Sequence, residues 1–174
     1  MLKDIEIARR LGADGVVFGC LTADGEVDLT SMQILMEASK GLSVTFHRAF
    51  DVCRNPQKAL EEIIELGCNR ILTSGQQPTA EQGIGLLKEL QGLAAGRITL
   101  LADCGVNENN IARIAAETGI NEFHFSARES IQSEMKFRNE VVSMGGTVHI
   151  NEYERNVTSV RRVKETVEAL YKGM

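Results

Sequence analysis

Five short runs rich in apolar and β-branched residues recur along the chain at nearly even spacing, and this repeat constrains the fold more than any other feature of the sequence. They are Gly15-Val-Val-Phe-Gly19, Leu42-Ser-Val-Thr-Phe46, Arg70-Ile-Leu-Thr73, Arg97-Ile-Thr-Leu-Leu101 and Glu122-Phe-His-Phe-Ser126, with starts 25 to 28 residues apart. That interval is about one strand plus one helix. Runs this short and apolar suit parallel strands buried on both faces under covering helices.

The segments between the runs carry helix punctuation. Asp28 caps an expected helix over Leu29–Lys40 that Gly41 ends, and Asn55-Pro56 starts one that stops at Gly67. Thr79-Ala-Glu-Gln82 reads as a capping box, although Gly83 and Gly85 weaken the first turn behind it. Asn107 is expected to cap a helix over Glu108–Thr118, with Gly119 as its stop. Further helices are expected near residues 2–11 and 158–172, and residues 129–150 read as a short helix plus an irregular stretch. Right-handed crossovers make all five strands parallel. The fold class is α/β: a partial (βα) barrel of the TIM type, five parallel strands with surrounding helices, in one domain over residues 1–174. An open Rossmann-like sheet is the alternative, but no GxGxxG follows any strand.

Composition narrows the partners. Nineteen basic and twenty-four acidic residues leave a net charge of −5, there is no Trp, and no basic cluster stands out. Nucleic-acid binding, which needs concentrated Lys/Arg or stacking aromatics, is not expected. No uncharged apolar run approaches the roughly 18 residues of a membrane span, and residues 1–10 lack the apolar core of a signal peptide. The four cysteines, Cys20, Cys53, Cys68 and Cys104, form no CxxC. A cytoplasmic chain with free thiols is the plain reading.

In (βα) folds the chemistry gathers where strands run into the loops that follow them. Five such places carry polar residues: Cys20–Asp24, His47–Asp51, Thr73–Gln76, Asp103–Gly105 and Ser126–Arg128. The densest is His47-Arg-Ala-Phe-Asp51, where imidazole, guanidinium and carboxylate lie within five residues; His47 and Asp51 are the candidate catalytic pair. Alternation along the strand turns Thr45 and His47 inward and Phe46 and Arg48 toward the helices; a plainer role for His47 and Asp51 is to bond each other and pin the loop. Arg48, Thr73, Ser74, Gly75, His124, Ser126 and Arg128 are candidate ligand-binding residues. Phosphate binding after the last two strands is a further option, opposed by the Asp103 carboxylate. Cys20 and Cys104 both follow strands and are candidate soft ligands for Cu(I), although free cysteines more commonly serve as small buried hydrophobes. His149 reads as a surface residue.

Several of these segments together resemble the copper homeostasis protein CutC family: Val44-Thr-Phe-His-Arg-Ala-Phe-Asp51, Arg70-Ile-Leu-Thr-Ser-Gly75, Glu122-Phe-His-Phe-Ser-Ala-Arg128 and Met135-Lys-Phe-Arg-Asn139. Gly12–Gly19, followed by Thr22-Ala-Asp-Gly25 and Asp28, fits the same pattern, so the resemblance covers nearly the whole chain. It implies a cytoplasmic TIM barrel associated with copper tolerance and trafficking, which self-associates and has copper, as Cu(I), or a small molecule as its ligand. Two departures accompany it. The turn after the fourth strand reads Ala102-Asp-Cys-Gly105 where the family has a glycine-rich turn, and the family carries about three further βα units before the point matching residue 1.

Three functions follow as expectations. The first is copper homeostasis through Cu(I) binding or delivery. The second is an enzyme acting on a small metabolite, an anionic one included, with a His/Asp/Arg mouth. The third is an inactive barrel fragment stabilised by self-association. Eight units of about 27 residues need roughly 216 residues plus terminal elements, so an open barrel with two unpaired edges is expected, with Val17 at risk of exposure. Those edges are expected to be covered by another chain or by the terminal helices.

Overall fold

The structure, a computed structural model, describes every residue except Glu140, Ser143, Gly146, His149 and Met174, so the reading of His149 lies outside the described residues. Helix α1 (Leu2–Arg10) comes first. Five βα-type strands follow: β1 (Gly15–Phe18), β2 (Ser43–Phe46), β3 (Arg70–Thr73), β4 (Thr99–Ala102) and β5 (Glu122–Phe123). Between them run α2 (Leu29–Ala38), α3 (Pro56–Glu65), α4 (Ile84–Ala94) and α5 (Ile111–Thr118), with a 3-10 turn at Arg48–Val52. The five strands pair in sequence order, all parallel. This is the sheet that the repeat predicts.

Local chemistry starts the helices where expected, with two exceptions. The Thr79–Gln82 box closes only a turn, and α4 starts behind it with Gly83 in the cap position and no side-chain cap; α5 is displaced as well. The Asp28 carboxylate accepts the Ser31 N–H at 3.0 Å, and the Asn55 side chain accepts the Lys58 N–H at 2.9 Å, each satisfying a free donor of the first turn. Helix α5 begins three residues later than the sequence suggests. Asn110, not Asn107, occupies its cap position, because Asn107 to Asn110 form a turn closed by the Asn107 N–H donating to Asn110 Oδ1 at 2.9 Å.

Register sorts the strand residues onto two faces. Val44, Phe46, Ile71 and Leu100 point to the helices and are buried there with Met32, Leu60, Ile63, Leu87, Leu90, Ile111 and Ile114. Each such side chain contributes on the order of 1.5–3 kcal/mol of burial. The other face carries Thr45, Leu72 and Leu101, which are only half-buried, and Val17, which is 62% exposed. Burial on both faces was the expectation; here the inner face stays open because β1 and β5 end the sheet without meeting. Across that open face Arg70 forms a two-pronged ion pair with Glu122 at 2.6 and 3.2 Å and also donates to the Ser43 hydroxyl. With both partners more than a third exposed, the pair is worth at most about 1 kcal/mol.

Residues after β5 depart from expectation. In place of a short helix, β6 (Arg128–Gln132) and β7 (Glu154–Thr158) form an antiparallel ladder before α6 (Val160–Gly173). The ladder brings Arg128 opposite Thr158 and so returns the chain to the barrel mouth, where α6 packs on α5.

Candidate functional site

The end of β2 is organised by one carboxylate. After Phe46 the chain tightens into the 3-10 turn, which carries Asp51 back over the end of β3. There Asp51 Oδ1 accepts from Thr73 Oγ1 at 2.6 Å, the Ser74 N–H at 3.0 Å and the Gln76 N–H at 3.2 Å, while Oδ2 accepts from Arg48 Nε at 2.6 Å. The Asp51 side chain is 6% exposed, and Thr73 and Ser74 are fully buried. Arg48, held by Asp51, also donates to the Ser74 hydroxyl at 2.9 Å and to Cys104 Sγ at 2.7 Å, linking the ends of β2, β3 and β4. Arg48 therefore lies across the mouth and not toward the helices: strand alternation stops at Phe46, where β2 ends.

His47 is differently placed from the expected loop pin. Its Nδ1 accepts the Ala49 N–H at 3.2 Å, capping the 3-10 turn, and its ring stands edge-on to Phe46. The bonds of Asp51 go to Arg48, Thr73, Ser74 and Gln76 instead of to His47. Arg48, Asp51, Thr73, Ser74 and Gly75 thus form one connected network, with His47 beside it.

A second cluster sits at the ends of β4 and β5. His124 Nδ1 and Asp103 Oδ1 are 3.0 Å apart; the carboxylate is 15% exposed and the imidazole 63%. Burial works against ionisation of Asp103, yet the hydrogen bonds from His124 and from the Cys104 N–H outweigh it and hold the carboxyl below its ordinary value. A cavity of about 450 Å³ opens here, lined among others by Asp103, Asn107, His124, Ser126, Arg128 and Arg162. Arg162 arrives from α6, pairing with Glu108 at 3.0 Å and donating to the Arg128 carbonyl. Sequence reasoning misses Arg162, because only the packing of α6 on α5 brings it to the mouth. A larger cavity of about 570 Å³ lies at the opposite end of the sheet, along the Lys40–Leu42 and Leu66–Asn69 turns. Chemistry in (βα) folds belongs at the carboxyl ends of the strands, so the smaller cavity is the functional candidate.

The depressed Asp103 titration has a direct consequence. A carboxyl that protonates less readily in the folded chain stabilises it above the unfolded value of about 3.9, and that contribution is lost as pH falls through the lower folded value. Wild type is therefore expected to exceed Asp103→Asn in urea midpoint at about pH 6, with the gap narrowing toward about pH 3. A gap of constant size would remove this assignment.

The thiols do not assemble a soft-metal site. Burial pushes Cys53 and Cys68 up to about 11. Cys20 is raised by burial and by Asp28; Cys104 is raised by burial and by Asp103, with Arg48 opposing. Cys20 and Cys104 follow β1 and β4, with β2 and β3 between them. Three strand intervals of about 4.8 Å place their backbones roughly 14 Å apart along the sheet, too far for two sulfurs to share an ion without rearrangement. The Cys104 sulfur also rests against the Arg48 guanidinium, which repels a cation. Among the described residues no group of three or more His, Cys, Asp or Glu side chains is placed to hold a metal. Nor is any described helix long and apolar enough to cross a membrane.

Comparison with known proteins places this geometry in context. The family model of the CutC family matches residues 1–129. A CutC family protein of Bacteroides thetaiotaomicron is 77% identical over 170 residues, covering 98% of this chain and 68% of the relative. Among solved structures, one from Streptococcus agalactiae described as a copper homeostasis protein CutC is similar, with 32% identity and a TM-score of 0.68 over 71% of this chain. The matched region is 60% of that structure's chain. A native KDPGal structure, 14% identical with a TM-score of 0.58 over 99% of this chain, shares the fold alone.

Proposed function

The chain belongs to the CutC family, and from that premise we propose that it serves copper homeostasis in the cytoplasm by recognising a small anionic ligand at the barrel mouth. Family membership supports the association with copper in general terms. The observation that carries the ligand reading is the polar mouth itself: Arg48 is held over Ser74 and Cys104 by Asp51, beside a 450 Å³ cavity walled by His124, Ser126, Arg128 and Arg162. Guanidinium groups match carboxylate and phosphate in charge and hydrogen-bond geometry. Cu(I) bound jointly by Cys20 and Cys104 is the alternative, and it requires the mouth to rearrange. Copper would then be cargo carried with other copies or chains.

A competition with a chromophoric Cu(I) chelator separates the two. Wild type and the Cys20→Ser/Cys104→Ser double variant are expected to withdraw Cu(I) equally, and inorganic phosphate or a small carboxylate is expected to raise the melting temperature of wild type but not of Arg128→Ala. One Cu(I) per chain, lost in the double variant, would overturn the ligand reading in favour of a metal carrier.

Self-association is part of the same proposal. The sheet ends on β1 and β5; α1 packs on α2 and β1, α6 packs on α5, and neither adds a strand. Unpaired strand edges and an exposed Val17 favour pairing with another copy. Sedimentation of the 174-residue chain is expected to give a dimer or larger species, and a monomer at micromolar concentration would refute this.

A further inference from the structure

The His124–Asp103 pair has the arrangement of an oriented base. An ionised Asp103 bonded to Nδ1 fixes the proton of a neutral imidazole on that nitrogen, which leaves the lone pair on Nε2 of a ring that lines the cavity. The same carboxylate stabilises the imidazolium that forms when Nε2 takes up a proton.

The surroundings supply the other requirements. Arg128 is an exposed residue of the cavity wall, and its backbone is fixed by the bond from Arg162, itself tied to Glu108. The backbone is held in costly conformations just here. Among the described non-glycine residues with left-handed φ, Gln76 (56°), Cys104 (70°) and Ala127 (45°) lie after β3, β4 and β5, and only Ala95, at the end of α4, lies elsewhere. Such conformations are costly for residues with a side chain and cluster where a site demands a particular geometry. Cys104 and Ala127 both line the cavity that the His124–Asp103 pair also lines.

We propose that His124, oriented by Asp103, is a general base that removes the proton next to the carbonyl of a small anionic carbonyl compound whose carboxylate or phosphate is held by Arg128. This rests on the anion-binding reading above. In the step, the substrate C–H bond breaks, the proton forms an N–H bond at Nε2, and the released electron pair moves onto the carbonyl oxygen as an enolate. Return of a proton from the imidazolium to carbon completes an exchange that needs no oxidant, reductant or second substrate. His124 is the catalytic residue and Asp103 a positioning residue.

The test is proton exchange in D2O followed by ¹H NMR, with pyruvate as the carboxylate probe and dihydroxyacetone phosphate as the phosphate probe. Wild type is expected to erase the C–H signal next to the carbonyl of at least one probe well above the buffer rate. His124→Gln is expected to lower that rate about 100-fold while the probe's line broadening shows that it still binds. Asp103→Asn is expected to slow exchange and to change its pH profile, which a purely structural role would not do. Exchange that survives in His124→Gln overturns the assignment. Binding without exchange overturns the proton transfer and leaves the anion-binding reading standing, whereas no binding of either probe overturns both.

Discussion

Replacing Asp51 with alanine is expected to be the most damaging single polar substitution in this chain, lowering stability by about 3–5 kcal/mol. The carboxylate is nearly inaccessible and satisfies donors that have no route to water: Thr73 Oγ1 and the Ser74 N–H belong to residues with no exposed surface. Without it, these donors and the Gln76 N–H lose their acceptor. The Ser74–Gly75–Gln76 turn, with left-handed φ at both Gly75 and Gln76, loses the contact that imposes its shape. For a domain of this size the loss corresponds to a fall in melting temperature of roughly 10 °C. Arg48→Ala removes one partner of the same carboxylate, but the arginine side chain is 40% exposed. Its cost is expected to be near 1 kcal/mol, because the carboxylate keeps its other donors. Urea unfolding of both variants checks the ranking. If Asp51→Ala cost no more than Arg48→Ala, the carboxylate would not be the hub of the β2–β3 end.

Gly83→Ala is expected to cost about 3 kcal/mol, for a reason of space alone. Gly83 stands at the start of α4 with an ordinary φ of −86°, so alanine is compatible with its backbone. A Cβ there would overlap the Ser74 carbonyl oxygen and lie 3.0 Å from the Gly75 Cα, both of them backbone atoms that cannot swing aside. The loop that would have to move is the one Asp51 holds, so the double variant is expected to lose less than the sum of the two single losses. Gly85 is the internal control. A Cβ at Gly85, inside α4, meets nothing within 4 Å, and Gly85→Ala is expected to gain up to about 1 kcal/mol from helix propensity. Equal effects at the two glycines, measured by thermal and urea unfolding, would be inconsistent with the close approach of α4 to the Ser74–Gly75 turn.

The contrast between these glycines marks the limit of reading the sequence. Both look like weaknesses in the first turn of a helix, since periodicity and propensity act within a few residues along the chain. Gly83 is required by a backbone segment eight to nine residues earlier in sequence, and nothing local announces that contact. The same limit applies to Arg48, whose direction follows from where β2 stops and the 3-10 turn begins, and to α5, whose start moves to Asn110 because Asn107 is consumed in a preceding turn. The candidate site divides similarly. His47–Asp51, Thr73–Gly75 and Ser126–Arg128 were legible as polar segments following strands, whereas the pairing of Asp51 with Thr73 and Ser74, of His124 with Asp103, and the arrival of Arg162 were not.

The sequence by itself determined the period of the fold, the parallel order of its five strands and the family to which the chain belongs. These are carried by alternation, caps and motif words that act over short distances. The tertiary structure alone decided which polar groups meet. Apart from Arg48, the partners that position Asp51, and the His124 partner of Asp103, come from 21 to 25 residues away, across neighbouring strand ends, and the cation that fixes Arg128 comes from a helix 34 residues further on. A hydrogen bond needs its two atoms placed to within a few tenths of an ångström. Such precision is a property of the packed sheet and helices together, and no stretch of chain specifies it alone.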